Sequence, residues 1–344
     1  MTSGYPGISL CMIVRDESFY IEEMLSSVRP HVDEIIVVDT GSVDNTVDLC
    51  RPFVDHLLHF DWIEDFAAAR NFSLASATKP WILVLDADEK IAPDDFQRLR
   101  ELTLNPEKDR ISMIQRHYSD ADENISAIWK PADTQDLYRK HYKGYSENPI
   151  VRCFRNEERI KFSGRIHEII DDSIRPESIL WSVIPIHHYH GEDPSNPSQK
   201  HQLRNLRILE LALQDTPTAR DYLNAGKTLL SLGEDIEKAA EYCSLAVELG
   251  ADIGQALEAR GEALYRLGRF SAACEAYQRL RQLRLGTSAS LNNLANCLVK
   301  LGNFQEAADV LRELLDKGIV NPTRKERIKN NLEALERALG QPRN

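Results

Sequence analysis

No apolar run in this 344-residue chain approaches the roughly 20 residues that a membrane-spanning helix needs. Basic residues are in deficit. The 42 lysines and arginines stand against 54 acids, and the net charge of −12 argues against nucleic acid as the main partner. Six cysteines (Cys11, Cys50, Cys153, Cys243, Cys274, Cys297) lie scattered without a C-x-x-C pair. That speaks for reduced core thiols rather than a disulfide framework or zinc site. An early glycine-rich, basic phosphate loop is missing, which disfavours a nucleotidyltransferase. Met1 to Gly7 has neither a basic region nor an apolar signal core, so the expected location is cytoplasmic. What remains, at 42% hydrophobic and 28% charged residues, is a globular chain long enough for about two domains.

The first half is organised around Trp81-Ile82-Leu83-Val84-Leu85-Asp86-Ala87-Asp88-Glu89. Five apolar residues in a row predict a strand buried on both faces, as in a covered α/β sheet. Strand alternation puts Asp86 and Asp88 on one side, separated by small Ala87. In open α/β sheets ligands bind beyond the carboxyl ends of strands, where these acids fall. Carboxylate oxygens completed by substrate phosphates are a usual way to hold Mg²⁺, and Mn²⁺ accepts the same donors. The plainer alternative is a solvated acidic turn.

Around that stretch the pattern is strand, helix, strand, helix. Ile8 to Val14 is a buried-strand candidate leading into Arg15, Asp16 and Glu17, and Ile21, Met24, Leu25 and Val28 have helical spacing. Glu34 to Asp39 is a second strand ending in a carboxylate. A polar turn through Thr46 follows, and Asp44 or Asn45 is the expected N-cap of the next helix. The order predicts a right-handed βαβ unit with a parallel sheet. Leu57 to Phe60 is a short strand candidate, and Asp65 can cap a helix carrying Arg70 and Asn71. Ile111 to Gln115, Ile150 to Arg155 and Ile179 to Ile186 read as further strands. Residues 116–148 show no clear period and are expected to form a substrate loop.

Composition shifts at Glu192 to Ser198, a linker by its Pro, Ser and Asn content. From Lys200 the chain is helical, with Leu203, Leu206, Leu209 and Leu213 on a joining helix. Leu232-Gly233, Leu267-Gly268 and Leu301-Gly302 recur at spacings of 35 and 34 residues. Small residues precede each glycine at Gly226, Gly261 and Ala295 and follow it at Ala239, Ala273 and Ala307. This period, with small residues where two helices approach, resembles tetratricopeptide repeats. Such units stack into a solenoid whose concave side binds a peptide or protein. Ile328, Leu332, Leu335 and Leu339 mark a capping helix.

In order and spacing, Ile8 to Glu17, Glu34 to Thr46, Asp65 to Asn71 and Trp81 to Glu89 resemble the glycosyltransferase family 2 fold of GT-A type. The resemblance extends over nearly the whole chain, to members with carboxy-terminal tetratricopeptide repeats, including peptide S-glycosyltransferases of bacteriocin pathways. It implies that Glu17 and Asp39 meet the nucleoside of a sugar nucleotide, with Asp44 or Asn45 nearby. Arg70 suits a diphosphate because its fork donates bidentately. The resemblance makes Asp86 and Asp88 the Asp-x-Asp motif that holds the ribose and a divalent metal, Mn²⁺ or Mg²⁺.

Phe162 to Glu168 resembles the Gly-x-Ile-His-Glu block of these enzymes. It makes Glu168 the candidate base for an inverting transfer, with His167 as alternate or positioning residue. His187, His188 and His190 close the domain. His188 and His190 project to the same side if strand geometry persists, and either could complete the metal shell.

The expected architecture is an α/β GT-A (nucleotide-diphospho-sugar transferase, Rossmann-like) domain over residues 1–195, then an all-α tetratricopeptide-repeat solenoid over 196–344. The expected function is metal-dependent, inverting transfer of a sugar from a nucleotide-diphosphate sugar, a UDP-sugar foremost, to a peptide or protein acceptor. The alternative is an interaction scaffold carrying a decayed transferase domain. The set Asp39, Asp86, Asp88 and Glu168 argues against decay.

Overall fold

A computed structural model describes residues 4–120, 129–170, 176–189, 198–316 and 322–340. His190, Gly191 and most of the expected linker lie outside the described residues. The chain divides into two compact units, one ending at Ser198 and one beginning at Gln199.

The first unit is built on a nine-stranded mixed sheet. Its strands are β1 (Ile8–Val14), β2 (Glu34–Asp39), β3 (His56–His59), β4 (Trp81–Val84), β5 (Glu89–Lys90), β6 (Arg110–Ser119), β7 (Trp129–Pro131), β8 (Gly144–Arg155) and, after a separate two-stranded pair β9 (Phe162–Ser163) and β10 (Ile169–Ile170), β11 (Ile179–His188). The order is β3-β2-β1-β4-β8-β6-β11-β5, with β7 on β8. Strands β1 to β4 pair in parallel, whereas β8 runs antiparallel to both β4 and β6. The carboxyl ends of β1, β2 and β4 therefore share one edge, and the sequence order reverses between β1 and β4.

The apolar runs are buried on both faces, as their composition predicts. Leu10, Met12 and Leu83 pack with Met24 and Leu25 of helix α1 (Ile21–Val28) and Phe96 and Leu99 of α4 (Pro93–Leu102). Cys11, Val38, Ile82 and Val84 pack on the other side with Ala67 and Leu74 of α3 (Phe66–Leu74) and with Phe162. A short α2 (Thr46–Cys50) follows β2.

The stretch expected to be an irregular loop is sheet at both ends, with a further short strand, β7, inside it. Strand β6 runs on to Ser119 and β8 begins at Gly144, with register pairs from Arg110↔Phe154 to Ser119↔Gly144. The pairs Arg116–Glu147 and Lys130–Glu147 tie the polar positions together. Strands with one charged face carry no apolar run, which is why composition hides them.

The second unit is helical: α5 (Ser198–Asp215), α6 (Ala219–Leu232), α7 (Ile236–Glu248), α8 (Ile253–Arg266), α9 (Phe270–Gln282), α10 (Ser288–Lys300), α11 (Phe304–Asp316) and α12 (Pro322–Gly340). The periodic small residues sit where paired helices touch. A Cβ on Gly226 would lie 2.5 Å from Cys243 Sγ, and one on Gly261 would lie 2.7 Å from the Tyr277 ring. Gly233, Gly268 and Gly302, at φ 71°, 72° and 79°, turn the chain at helix ends. Ile328 is fully buried, and all six cysteines are free and buried. No described helix is long and apolar enough to cross a membrane.

Gly261→Val is expected to destabilise this unit by about 1–3 kcal/mol through overpacking against Tyr277. Helix propensity offsets only a few tenths of that. Urea unfolding followed by helical signal reads it, and an unshifted midpoint would show that the two helices do not meet there.

Candidate active site

The edge begins with two loops stitched together. Ser42 Oγ accepts from the Asp16 N–H at 3.0 Å, and Asp16 Oδ1 accepts from the Val43 N–H at 2.8 Å. Asp16 holds a left-handed backbone, φ 57°, to do so. The Glu17 N–H donates to Thr46 Oγ1 at 2.8 Å, and Asp44 accepts from the N–H groups of Thr46 at 2.9 Å and Ser18 at 3.2 Å. Asn45 is the residue before α2, while Asp44 makes the capping contact. Asp39 is buried and accepts from the N–H groups of Gly41 and Ser42 at 3.1 and 3.0 Å. Asp16, Glu17, Asp39, Asp44 and Asn45 thus line one pair of loops, with Asp44 and Asn45 exposed.

Beside them runs a chain of alternating charge. Arg70, projecting from α3, binds Glu168 through Nε and Asp86 Oδ1 through Nη2, the latter at 2.8 Å. Arg152 of β8 reaches the other oxygen of Asp86 at 2.9 Å and Glu89 Oε1 at 2.9 Å. Glu89 also accepts from Gln115 and, at 2.9 Å, from the Asp86 N–H, so its side chain closes the turn after β4. The order is Glu168–Arg70–Asp86–Arg152–Glu89. Burial disfavours the charge on Asp86, but the two guanidiniums outweigh it and hold its carboxyl well below the usual range. Burial pushes Glu89 up, against the pull of Arg152. Both Asp86 oxygens are therefore committed to arginines.

Glu168 reaches Arg70 because α3 also carries its loop. Asn71 exchanges hydrogen bonds with the Phe162 backbone, both at 2.9 Å, and the Phe66 N–H donates to Arg165 O at 2.7 Å. Asp65 caps this helix by accepting from the Ala68 N–H at 2.8 Å. His167, exposed, has φ 52°.

Asp88 faces a different partner. Strand β11 pairs with β5 through His188↔Glu89, and His188 Nε2 lies 3.1 Å from Asp88 Oδ2. Burial disfavours a charged His188, but Asp88 reverses the balance and raises it. His187 points into an aromatic cluster, with Nδ1 2.7 Å from Tyr118 Oη and its ring stacked on Tyr138 at 4.1 Å. Burial and then Arg116 bring it down to about 4. Among the described residues no three His, Cys, Asp or Glu are arranged to hold a metal. Asp88 and His188 supply one hard oxygen and one imidazole nitrogen, a donor set that fits Mn²⁺ or Mg²⁺ when phosphate and water complete the shell.

Known proteins share this organisation. The glycosyl transferase family 2 model matches residues 9–158, and tetratricopeptide repeat models match 223–289 and 258–322. A TPR repeat-containing protein of Synechococcus elongatus is 31% identical over 88% of this chain and 74% of its own length. The chain belongs to the family 2 glycosyltransferases that carry tetratricopeptide repeats. The prophage-derived glycosyltransferase SunS of Bacillus subtilis is 28% identical over 71% of this transferase, which spans 54% of SunS. Among solved structures, S. aureus TarS 1-349 covers 75% of the transferase and 82% of its own chain, at 14% identity and a TM-score of 0.38, too distant to lend detail.

Arg152 and His117 join this network and are passed over by sequence reading. Arg152 carried a signal: it is a lone charge in the apolar run Ile150 to Phe154, and a buried arginine needs a carboxylate. His117 lies within 116–148, where no apolar run or helical period marks it.

Proposed function

We propose that this glycosyltransferase moves a sugar from a nucleotide-diphosphate sugar to a peptide or protein acceptor with inversion, assisted by a divalent metal. The observation that carries the reading is the Glu168–Arg70–Asp86–Arg152–Glu89 chain, set beside Asp88 and His188 at the carboxyl edge of the parallel strands. Asp88 and His188 would hold the cation, which supplies positive charge to the leaving diphosphate when bound. The paired loops around Glu17, Asp39, Asp44 and Asn45 would take the nucleoside. Arg70, buried and kept charged, would donate to the diphosphate, and Asp86 fixes its fork. Glu168 Oε1 is held by Arg70, so the carboxylate is oriented. It takes the proton from the acceptor as the new bond to the anomeric carbon forms and the sugar–phosphate bond breaks, with the electron pair leaving on the diphosphate. The repeats recognise the acceptor.

A panel of sugar nucleotides, UDP-sugars first, tested with Mn²⁺ or Mg²⁺ for nucleotide release by slow hydrolysis, identifies the donor without knowledge of the acceptor. Calorimetry of the matching nucleoside diphosphate should show at least about tenfold tighter binding with Mn²⁺, lost in Asp88→Ala. Equal affinity with and without metal, at a nucleotide that does bind, would remove the metal from the mechanism.

A further inference from the structure

Both ring nitrogens of His188 are engaged. Nε2 faces Asp88 Oδ2 at 3.1 Å, and Nδ1 lies 2.7 Å from Nδ1 of His117. The two histidines are direct partners in the parallel pairing of β11 with β6, so strand register fixes their contact. Their rings meet edge to face, with centroids 4.7 Å apart. On its other side His188 is held by pairing with Glu89, and the Tyr189 N–H donates to Asp88 O at 3.1 Å. Two nitrogens this close share a single hydrogen, one donating and the other offering its lone pair. A neutral His188 presents a lone pair at Nε2, beside Asp88, only while its hydrogen sits on Nδ1. His117 Nδ1 must then accept, and the His117 hydrogen belongs on Nε2.

We infer that His117 is a positioning residue for the metal site. It sets the tautomer and ring plane of His188 so that the nitrogen nearest Asp88 is the one that binds the cation. The inference rests on the reading of Asp88 and His188 as the protein's cation donors. Outer partners of a ligating histidine are commonly carboxylates or carbonyls. A neutral imidazole orients the ring without adding a negative charge to a site already crowded with Asp86, Asp88 and Glu89.

The full-length protein labelled with ¹⁵N-histidine and loaded with Mg²⁺ and UDP should show His188 as the Nδ1–H tautomer and His117 as the Nε2–H tautomer. Mn²⁺ affinity, read by electron paramagnetic resonance with UDP present, should fall about 10–100-fold in His117→Leu. UDP affinity without metal should stay unchanged. In His117→Asn the amide oxygen can accept in place of Nδ1, and most of the Mn²⁺ affinity should return. A His117 Nδ1–H signal in the loaded wild-type protein overturns the inference, whether or not the leucine variant folds. Wild-type Mn²⁺ affinity in a folded His117→Leu does the same. His188→Ala separates the two readings: a loss there with none in His117→Leu removes only the positioning role, whereas no loss in either removes the metal site as well.

Discussion

Glu168→Gln lowers glycosyl transfer by about 10²–10⁴-fold while nucleotide affinity stays near that of the wild type. Glutamine keeps an acceptor oxygen for Arg70 Nε, so the loop from Phe162 to Glu168 stays tied to α3 and the guanidinium keeps its orientation. Basicity is what goes. With a hydroxyl acceptor the proton must leave as the bond forms, and the full loss appears in kcat. With a thiol acceptor, already partly ionised near neutral pH, the loss is smaller. Single-turnover transfer on matched serine and cysteine acceptors measures both. Near-normal turnover of Glu168→Gln on the hydroxyl, alongside collapse when the His167 imidazole is removed, would give the role of base to the histidine.

Arg152→Leu should cost about 3–5 kcal/mol, because it strands Glu89 inside the protein. Glu89 is fully buried, and Arg152 is the cation that compensates it. For a unit of this size that is a fall in Tm of about 10 °C. Its pH dependence has a definite sign. Glu89, raised by burial, contributes stability that is present at acid pH and lost as pH rises through its folded value. Losing Arg152 raises it further. Asp86, held low against burial by Arg70 and Arg152, contributes stability above the usual carboxylate range that fades as pH falls, and the variant has less of it. The Glu89 effect makes the deficit larger at about pH 8 than at about pH 5, whereas the Asp86 effect, with Arg70 still in place, is already complete by about pH 5. An equal deficit at both, in thermal melts, would mean that Arg152 matters for packing and not for charge.

The parallel core was legible because its strands are buried on both faces, and such strands have only one way to read: apolar runs such as Trp81 to Leu85, ending in an acid. The repeats were legible for a related reason. Gly226 and Gly261 are small because a Cβ would strike Cys243 or Tyr277, and that constraint recurs with the period of the fold. The site was legible in its acids and not in its arginines. Asp86 takes its partners from 16 residues before and 66 residues after, and Arg152 reaches it only because β8 runs back beside β4. No local pattern encodes that pairing. For the same reason the sequence suggests Asp86 as a metal donor without revealing that both its oxygens are committed to arginines. His117 meets His188 across 71 residues through the register of two strands. A single chain read in windows contains the residues but not the register.

The left-handed backbone of His167, φ 52°, has a practical consequence for the choice of variant. A side chain in that region costs roughly 1–2 kcal/mol relative to glycine. His167→Ala would delete the imidazole yet keep the steric penalty, so any lost activity could reflect a relaxed loop that carries Glu168 out of place. His167→Gly deletes the imidazole and satisfies the backbone in the same stroke, leaving the neighbouring carboxylate where Arg70 holds it. The glycine variant thus removes the imidazole together with the backbone penalty, and a thermal midpoint at or above that of the wild type shows that the fold withstands the change.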